Sequence, residues 1–137
     1  MEKVTPTDEE YFFDGSAIIS QTDLQGIITY VNKAFCQVSG YSVEELVGKP
    51  HNIVRHPDMP KAVFEKMWST IQSGQAWNGF IKNLRKDGKY YWIDIEMLPA
   101  RDKENNIIGY IAASKAASRK DIQENEETYK KMLEAED

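Results

Sequence analysis

A chain of 137 residues and 15.7 kDa has the size of one domain, with a core large enough to need neither disulfide nor metal. Its 41% hydrophobic and 28% charged residues exclude a disordered or rod-like chain, and a net charge of −5 argues against a nucleic-acid partner. The single cysteine, Cys36, excludes an internal disulfide and fits a reducing, cytoplasmic setting, and no apolar run is long enough to span a bilayer.

In chain order, residues 1–14 read as a polar N-terminal cap whose aromatic end, Tyr11-Phe12-Phe13, lies on the domain. Ala17–Thr22 and Ile27–Val31 are β-branched runs around the turn Asp23-Leu24-Gln25-Gly26 and predict a hairpin. Asn32 caps a short helix over Lys33–Ser39 that Gly40 stops. Ser42 and Glu45 form a capping box, and Pro60 opens a helix over Lys61–Ser73 with Val63, Phe64, Met67, Trp68 and Ile71 on one face. Three strands follow: Gln75–Lys86, Tyr90–Pro99 and Ile107–Lys115, joined at Asp87-Gly88 and across Asp102–Asn106. Residues 118–137 hold four basic and seven acidic residues with no Gly or Pro. They read as a linker or signalling helix with a thin stripe of Ile122, Tyr129, Met132 and Leu133, leading out of the domain. The fold class is therefore α+β: a five-stranded antiparallel sheet with helices covering one face, over residues 15–117, and a C-terminal helix.

Alternation assigns Trp77, Gly79, Ile81, Asn83, Tyr91, Ile93, Ile95, Met97, Gly109, Ile111 and Ala113 to the helix-covered face. Phe80, Leu84, Trp92, Asp94, Glu96, Tyr110 and Ala112 fall on the other, which is aromatic enough to suggest a partner or a covering segment.

No nucleophile–base pair, phosphate loop or metal-ligand spacing stands out, so the chain does not read as an enzyme. The unusual stretch is Gly48 to Pro60, which sets His51, Arg55, His56 and Asp58 among three prolines. Proline fixes the backbone, so these side chains are pre-positioned at low entropy cost. They suit a phosphate, a flavin edge or a ribityl hydroxyl; the plainer reading is a polar surface loop with Asp58 capping the next helix. Trp68 and Trp77 read as core by default. Asn83, on an inward strand position, needs a hydrogen-bond partner in either a neighbouring backbone or a bound ring.

Asn32-Lys33-Ala34-Phe35, the run Ser39-Gly40-Tyr41-Ser42 with Glu44-Glu45-Leu46 and Gly48-Lys49-Pro50, and then Lys86-Asp87-Gly88, Trp92 and Gly109-Tyr110 resemble the motifs of PAS domains over about residues 14–117. The segment Pro50–Pro60, with Trp68, Ala76-Trp77, Lys82-Asn83 and Tyr91-Trp92, resembles more closely the FAD-binding PAS sensors of the bacterial aerotaxis type. That resemblance implies cofactor-binding roles at Asn32, His51, Arg55, His56, Asp58, Trp77 and Asn83, with Phe64 and Trp68 in the same wall. It implies FAD as cofactor, sensing of redox, oxygen or energy state, a homodimer, and output to a HAMP and methyl-accepting chemotaxis module. The domain would then be the cytoplasmic part of an inner-membrane receptor.

Photoreceptor PAS domains of the LOV class carry a reactive cysteine where this chain has Pro57-Asp58-Met59, so no cysteinyl adduct is expected. Two readings compete with flavin: a haem-binding gas sensor using His51 or His56, and a cofactor-free interaction module.

Overall fold

Local chemistry starts and stops most elements. Asp23 accepts hydrogen bonds from the Gln25 and Ile27 amides at 2.9 and 3.0 Å, closing the hairpin between β1 (Ile18–Thr22) and β2 (Ile28–Val31). Asn32 caps α1 (Lys33–Ser39) by accepting from Phe35 N–H, and Gly40 ends it in the left-handed region at φ 81°. The Ser42–Glu45 capping box opens α2 (Val43–Leu46). A short 3-10 turn over His51–Val54, which the sequence presents only as loop, leads to α3 (Lys61–Gln72). Then come β3 (Trp77–Leu84), β4 (Tyr90–Arg101), β5 (Ile107–Ala116) and α4 (Arg119–Glu136). This computed structural model describes residues 3–15 and 17–136. Met1, Glu2, Ser16 and Asp137, assigned from sequence to the cap, the domain start and the last helix, lie outside the described residues.

The five strands form one antiparallel sheet, as expected, and their order is β2-β1-β5-β4-β3. α1, α2 and α3 lie over one face, and Ile28, Leu46 and Ile71, each at most 1% exposed, mark the centre of the core between them. Burying such side chains contributes about 1.5–3 kcal/mol each.

Register corrects one expectation. Ile95 pairs with Ser114 and Met97 with Ala112, so Tyr110, Ala112 and Ser114 face the helices, while Ile111 and Ala113 face outward. A bulge between Ala100 and Arg101 separates this register from the one that simple alternation across the Asp102–Asn106 turn suggests. Tyr110 accordingly meets Trp68 edge to face inside the domain, with ring centroids 5.6 Å apart.

The last helix departs from expectation too. α4 does not lead away but runs back along the open edge of β3. Tyr129 stacks on Trp92 at 6.2 Å and donates its hydroxyl to the Phe80 carbonyl at 2.6 Å. At its far end Glu136 accepts from Ala62 N–H at 3.3 Å, supplying the first turn of α3, which has no side-chain cap at Pro60. Asp58, the alternative cap considered from sequence, does not serve. At its start, Arg119 pairs with Glu10 of the N-terminal segment.

That segment packs against the β3–β4 hairpin. Tyr11 N–H bonds Tyr90 O at 2.7 Å, Phe13 meets Tyr91 edge-on at 6.0 Å, and Arg85 lies 3.8 Å from the Tyr11 ring centroid. Trp92 is thus covered from α4 and only 3% exposed, whereas Tyr30 and Leu98 on the outward side stay open.

Candidate functional site

Between α3, the 3-10 turn and the inner face of the sheet lies a cavity of about 300 Å³. Its apolar wall comes from Phe64, Met67 and Trp68 on α3 and from Ile81, Ile93 and Ile95 on β3 and β4. Its polar lining includes Thr22, Gln25, His51, Asn52, Arg55 and Asn83. A mostly apolar recess with a few converging polar groups is the usual form of a small-molecule site.

Two close approaches shape this region. Gly26, at φ 82°, lines the cavity where a Cβ would come within 3.0 Å of the Trp68 ring. At Gly79 a Cβ would sit 2.3 Å from the Trp77 ring, so the absent side chain lets that indole fold flat along β3. Trp77 therefore faces a second cleft, toward Ala62 and Val63 of α3 and Tyr129 and Met132 of α4, rather than the central cavity.

His51 reaches the cavity from the 3-10 turn and is held by Ser20, whose hydroxyl lies 3.0 Å from Nε2, and by the edge of the Phe35 ring. Loss of hydration lowers its pKa, so it is a neutral hydrogen-bonding group at physiological pH. Arg55 follows on the chain; its guanidinium stacks 4.1 Å from the Phe64 ring centroid and has no ion-pair partner among the described residues. Its backbone pairs with that of Asn83 in an isolated antiparallel bridge. Asn83 is 7% exposed and stands opposite Tyr91 in the β3–β4 ladder. Burial pushes the Tyr91 phenol pKa up, and the neighbouring Asn83 side chain opposes that rise. Thr22 also lines the cavity, and its buried hydroxyl has no hydrogen-bond partner among the described residues. Leaving such a group unpaired costs about 1–3 kcal/mol, so a ligand atom is its natural complement.

Of the residues singled out from sequence, the structure brings His51, Arg55, Phe64, Trp68 and Asn83 together around the cavity. It places four elsewhere. Asn32 spends its side chain on the Ile19 and Phe35 amides and the Ala17 carbonyl. His56 is buried behind the loop, Asp58 is 63% exposed and pairs with Lys82 at 3.1 Å, and Trp77 lies over Gly79. Cys36, on α1, is not among the lining residues. Sequence reasoning passed over Thr22 and Met67 as site residues. The inward parity of Ile18, Ser20 and Thr22 on β1 and the apolar face of α3 were the signals that could have found them.

A five-stranded antiparallel sheet of this order, with helices on one face and a cavity beneath them, is an α+β ligand-pocket architecture. A family model described as PAS fold matches residues 28–114, and the chain belongs to the PAS family. It is 45% identical over 119 residues to the aerotaxis receptor of Escherichia coli K12, covering 87% of this chain and 23% of that receptor. It is 32% identical over 103 residues to a nitrogen fixation regulatory protein of Klebsiella pneumoniae, covering 75% and 21%. Among solved structures, the PAS domain of a Colwellia psychrerythraea protein superposes with TM-score 0.63 at 30% identity, over 75% of this chain and 87% of that one. The light-state LOV domain of the blue-light photoreceptor Aureochrome1 superposes with TM-score 0.72 at 22% identity, over 79% and 90%, a likeness of fold. The chain spans less than a quarter of the length of these two curated relatives. Their names are those of a receptor and a regulator.

Proposed function

We propose that this domain binds a flavin, as FAD, in the central cavity and passes its redox state to a chemotaxis-type signalling module. The observation that carries the reading is the wall itself: a cation without an anionic partner (Arg55) and a buried hydroxyl without a hydrogen-bond partner (Thr22) among the described residues, with a buried carboxamide (Asn83), around one apolar recess. Arg55 supplies charge for a phosphate, and its planar fork suits two phosphate oxygens at once. Phe64 and Trp68 supply aromatic surface for a flat ring, and the Thr22 hydroxyl and Asn83 amide match a ring edge carrying both donors and acceptors. The 45% identity to an aerotaxis receptor supports the sensing role, and one solved LOV relative is described with a flavin analogue. When bound, a flavin supplies a ring whose charge and protonation change with electron transfer.

The chain's own part is to hold that ring and respond to it. Asn83 joins the cavity to two other elements, through the backbone bridge to Arg55 and through its place in the β3–β4 ladder opposite Tyr91, against which Phe13 packs. A change in what Asn83 hydrogen-bonds is thereby felt in the loop and in the N-terminal segment. Asn32, His56, Asp58 and Trp77 contribute by shaping the loop and sheet from outside the cavity. In this reading residues 15–117 are the sensor, 1–14 its cap and 118–137 the connection to a HAMP or methyl-accepting output, in the cytoplasm and as a homodimer joined through the open outer surface around Tyr30 and Leu98.

The test is the absorption spectrum of the purified domain and the mass of whatever heat releases from it. Flavin bands with release of FAD support the reading. A Soret band, or a colourless protein that takes up no added flavin, would overturn it.

A further inference from the structure

His56 is 3% exposed in the middle of the Arg55–Pro60 loop, yet it lines no part of the central cavity. Its Nδ1 accepts a hydrogen bond from the Asp58 backbone N–H at 3.0 Å, which leaves the proton of the neutral ring on Nε2. The ring meets Tyr90 edge to face, with centroids 6.4 Å apart. This bond closes the turn immediately after Arg55, whose backbone is itself bridged to Asn83.

The groups facing the ring come from three elements. The Asp58 carboxylate, on the same loop, lies 3.8 Å from Nδ1; Lys82 projects from β3; the Tyr90 phenol stands on β4. α4 adds Glu126 and Lys130 to the groove that Asp58 and Lys82 share, and Glu10 of the N-terminal segment bridges the Tyr90 backbone. Burial lowers the His56 pKa, the Lys82 charge lowers it further, and Asp58 opposes both.

We propose that His56 is a positioning residue: its neutral ring, by accepting from Asp58 N–H, holds Arg55 and Asn83 at the cavity, and a proton on Nδ1 releases them, so that acidification loosens the bound ligand. A protonated Nδ1 would set two donors against each other across 3.0 Å. The nearest acceptor able to relieve that clash is the Asp58 carboxylate, which must leave Lys82 to do so and re-form the turn. The ligand is thus held at and above neutrality and lost as pH falls through the lowered His56 pKa. Its dissociation constant rises by about tenfold for each pH unit below that pKa.

The inference rests on the flavin reading for its ligand but not for its switch. The experiment measures FAD affinity against pH by flavin fluorescence for the wild type, His56→Asn and His56→Leu. It also follows the His56 ring nitrogens and the Asp58 amide by NMR in the ligand-free chain. Asparagine carries a carbonyl oxygen where histidine carries Nδ1, so it keeps the acceptor and removes the titration. Expected are falling wild-type affinity toward acid, a rescued and flat profile in His56→Asn, and weak binding at every pH in His56→Leu. In the ligand-free chain, the Asp58 amide should shift in step with His56 titration. The proposal is overturned by an Nδ1-protonated ring at neutral pH, by a His56→Asn profile that keeps the wild-type slope, or by an Asn variant as weak as the Leu variant. A chain that binds no FAD at any pH sinks the flavin reading alone, and the Asp58 amide still decides the switch.

Discussion

α3 and α4 are both helices of this domain, and they are held in different ways. α3 buries Val63, Met67 and Ile71 in the core and gives Phe64 and Trp68 to the cavity. α4, half as long again, buries only Ile122 and is otherwise fastened by a stacked tyrosine, one hydroxyl bond and groups at its two ends. A helix of the first kind moves only when the core does. A helix of the second kind can leave while the sheet stays folded, because the free energy holding it is a small part of the total. The cavity is therefore built on the rigid element, and the C-terminal helix is the loose one.

Equal truncations should break the comparison most sharply. Ile71→Ala, at a site of 0% exposure, should cost about 2–5 kcal/mol of global stability in urea denaturation. Ile122→Ala removes the same atoms but should cost less than about 2 kcal/mol, because α4 can detach before the core unfolds. Equal losses at the two sites would make α4 part of the core.

A smaller effect sharpens the picture. Tyr129→Phe keeps the ring on Trp92 and removes only the bond to the Phe80 carbonyl. Hydrogen exchange in α4 should speed up by the equivalent of about 0.5–1.5 kcal/mol, with no change in β4 or β5. Faster exchange spread over the whole sheet would contradict an independently held helix.

What could be read from the sequence follows the same divide between local and distant causes. Asn32, the Ser42–Glu45 box and the Asp87-Gly88 turn act within a few residues, and each was legible from its own neighbourhood. β5 was not: Ile111, Ala112 and Ala113 are apolar on both faces, so alternation alone could not choose, and the bulge at Ala100 decided. The thin stripe on α4 showed which residues seek cover but not that Trp92 and the β3 edge would provide it. The cavity was half legible. Arg55, Asn83 and the aromatic wall stood out by chemistry, whereas the place of His56 behind the loop depends on a bond to the Asp58 amide that no side-chain pattern records. Trp77 had the right parity, and its ring was turned aside by the absence of a side chain at Gly79.

The central claim is that the cavity binds flavin through Arg55, a cation with no ion-pair partner among the described residues. It is tested most directly by titrating FAD into ligand-free wild-type and Arg55→Ala protein while following flavin fluorescence, with thermal unfolding as a check on folding. Losing a charged hydrogen-bonding group of this kind costs about 1.4 kcal/mol or more, so the account expects Arg55→Ala to bind at least roughly tenfold more weakly while unfolding at nearly the same temperature. Wild-type affinity in a folded Arg55→Ala protein would contradict it.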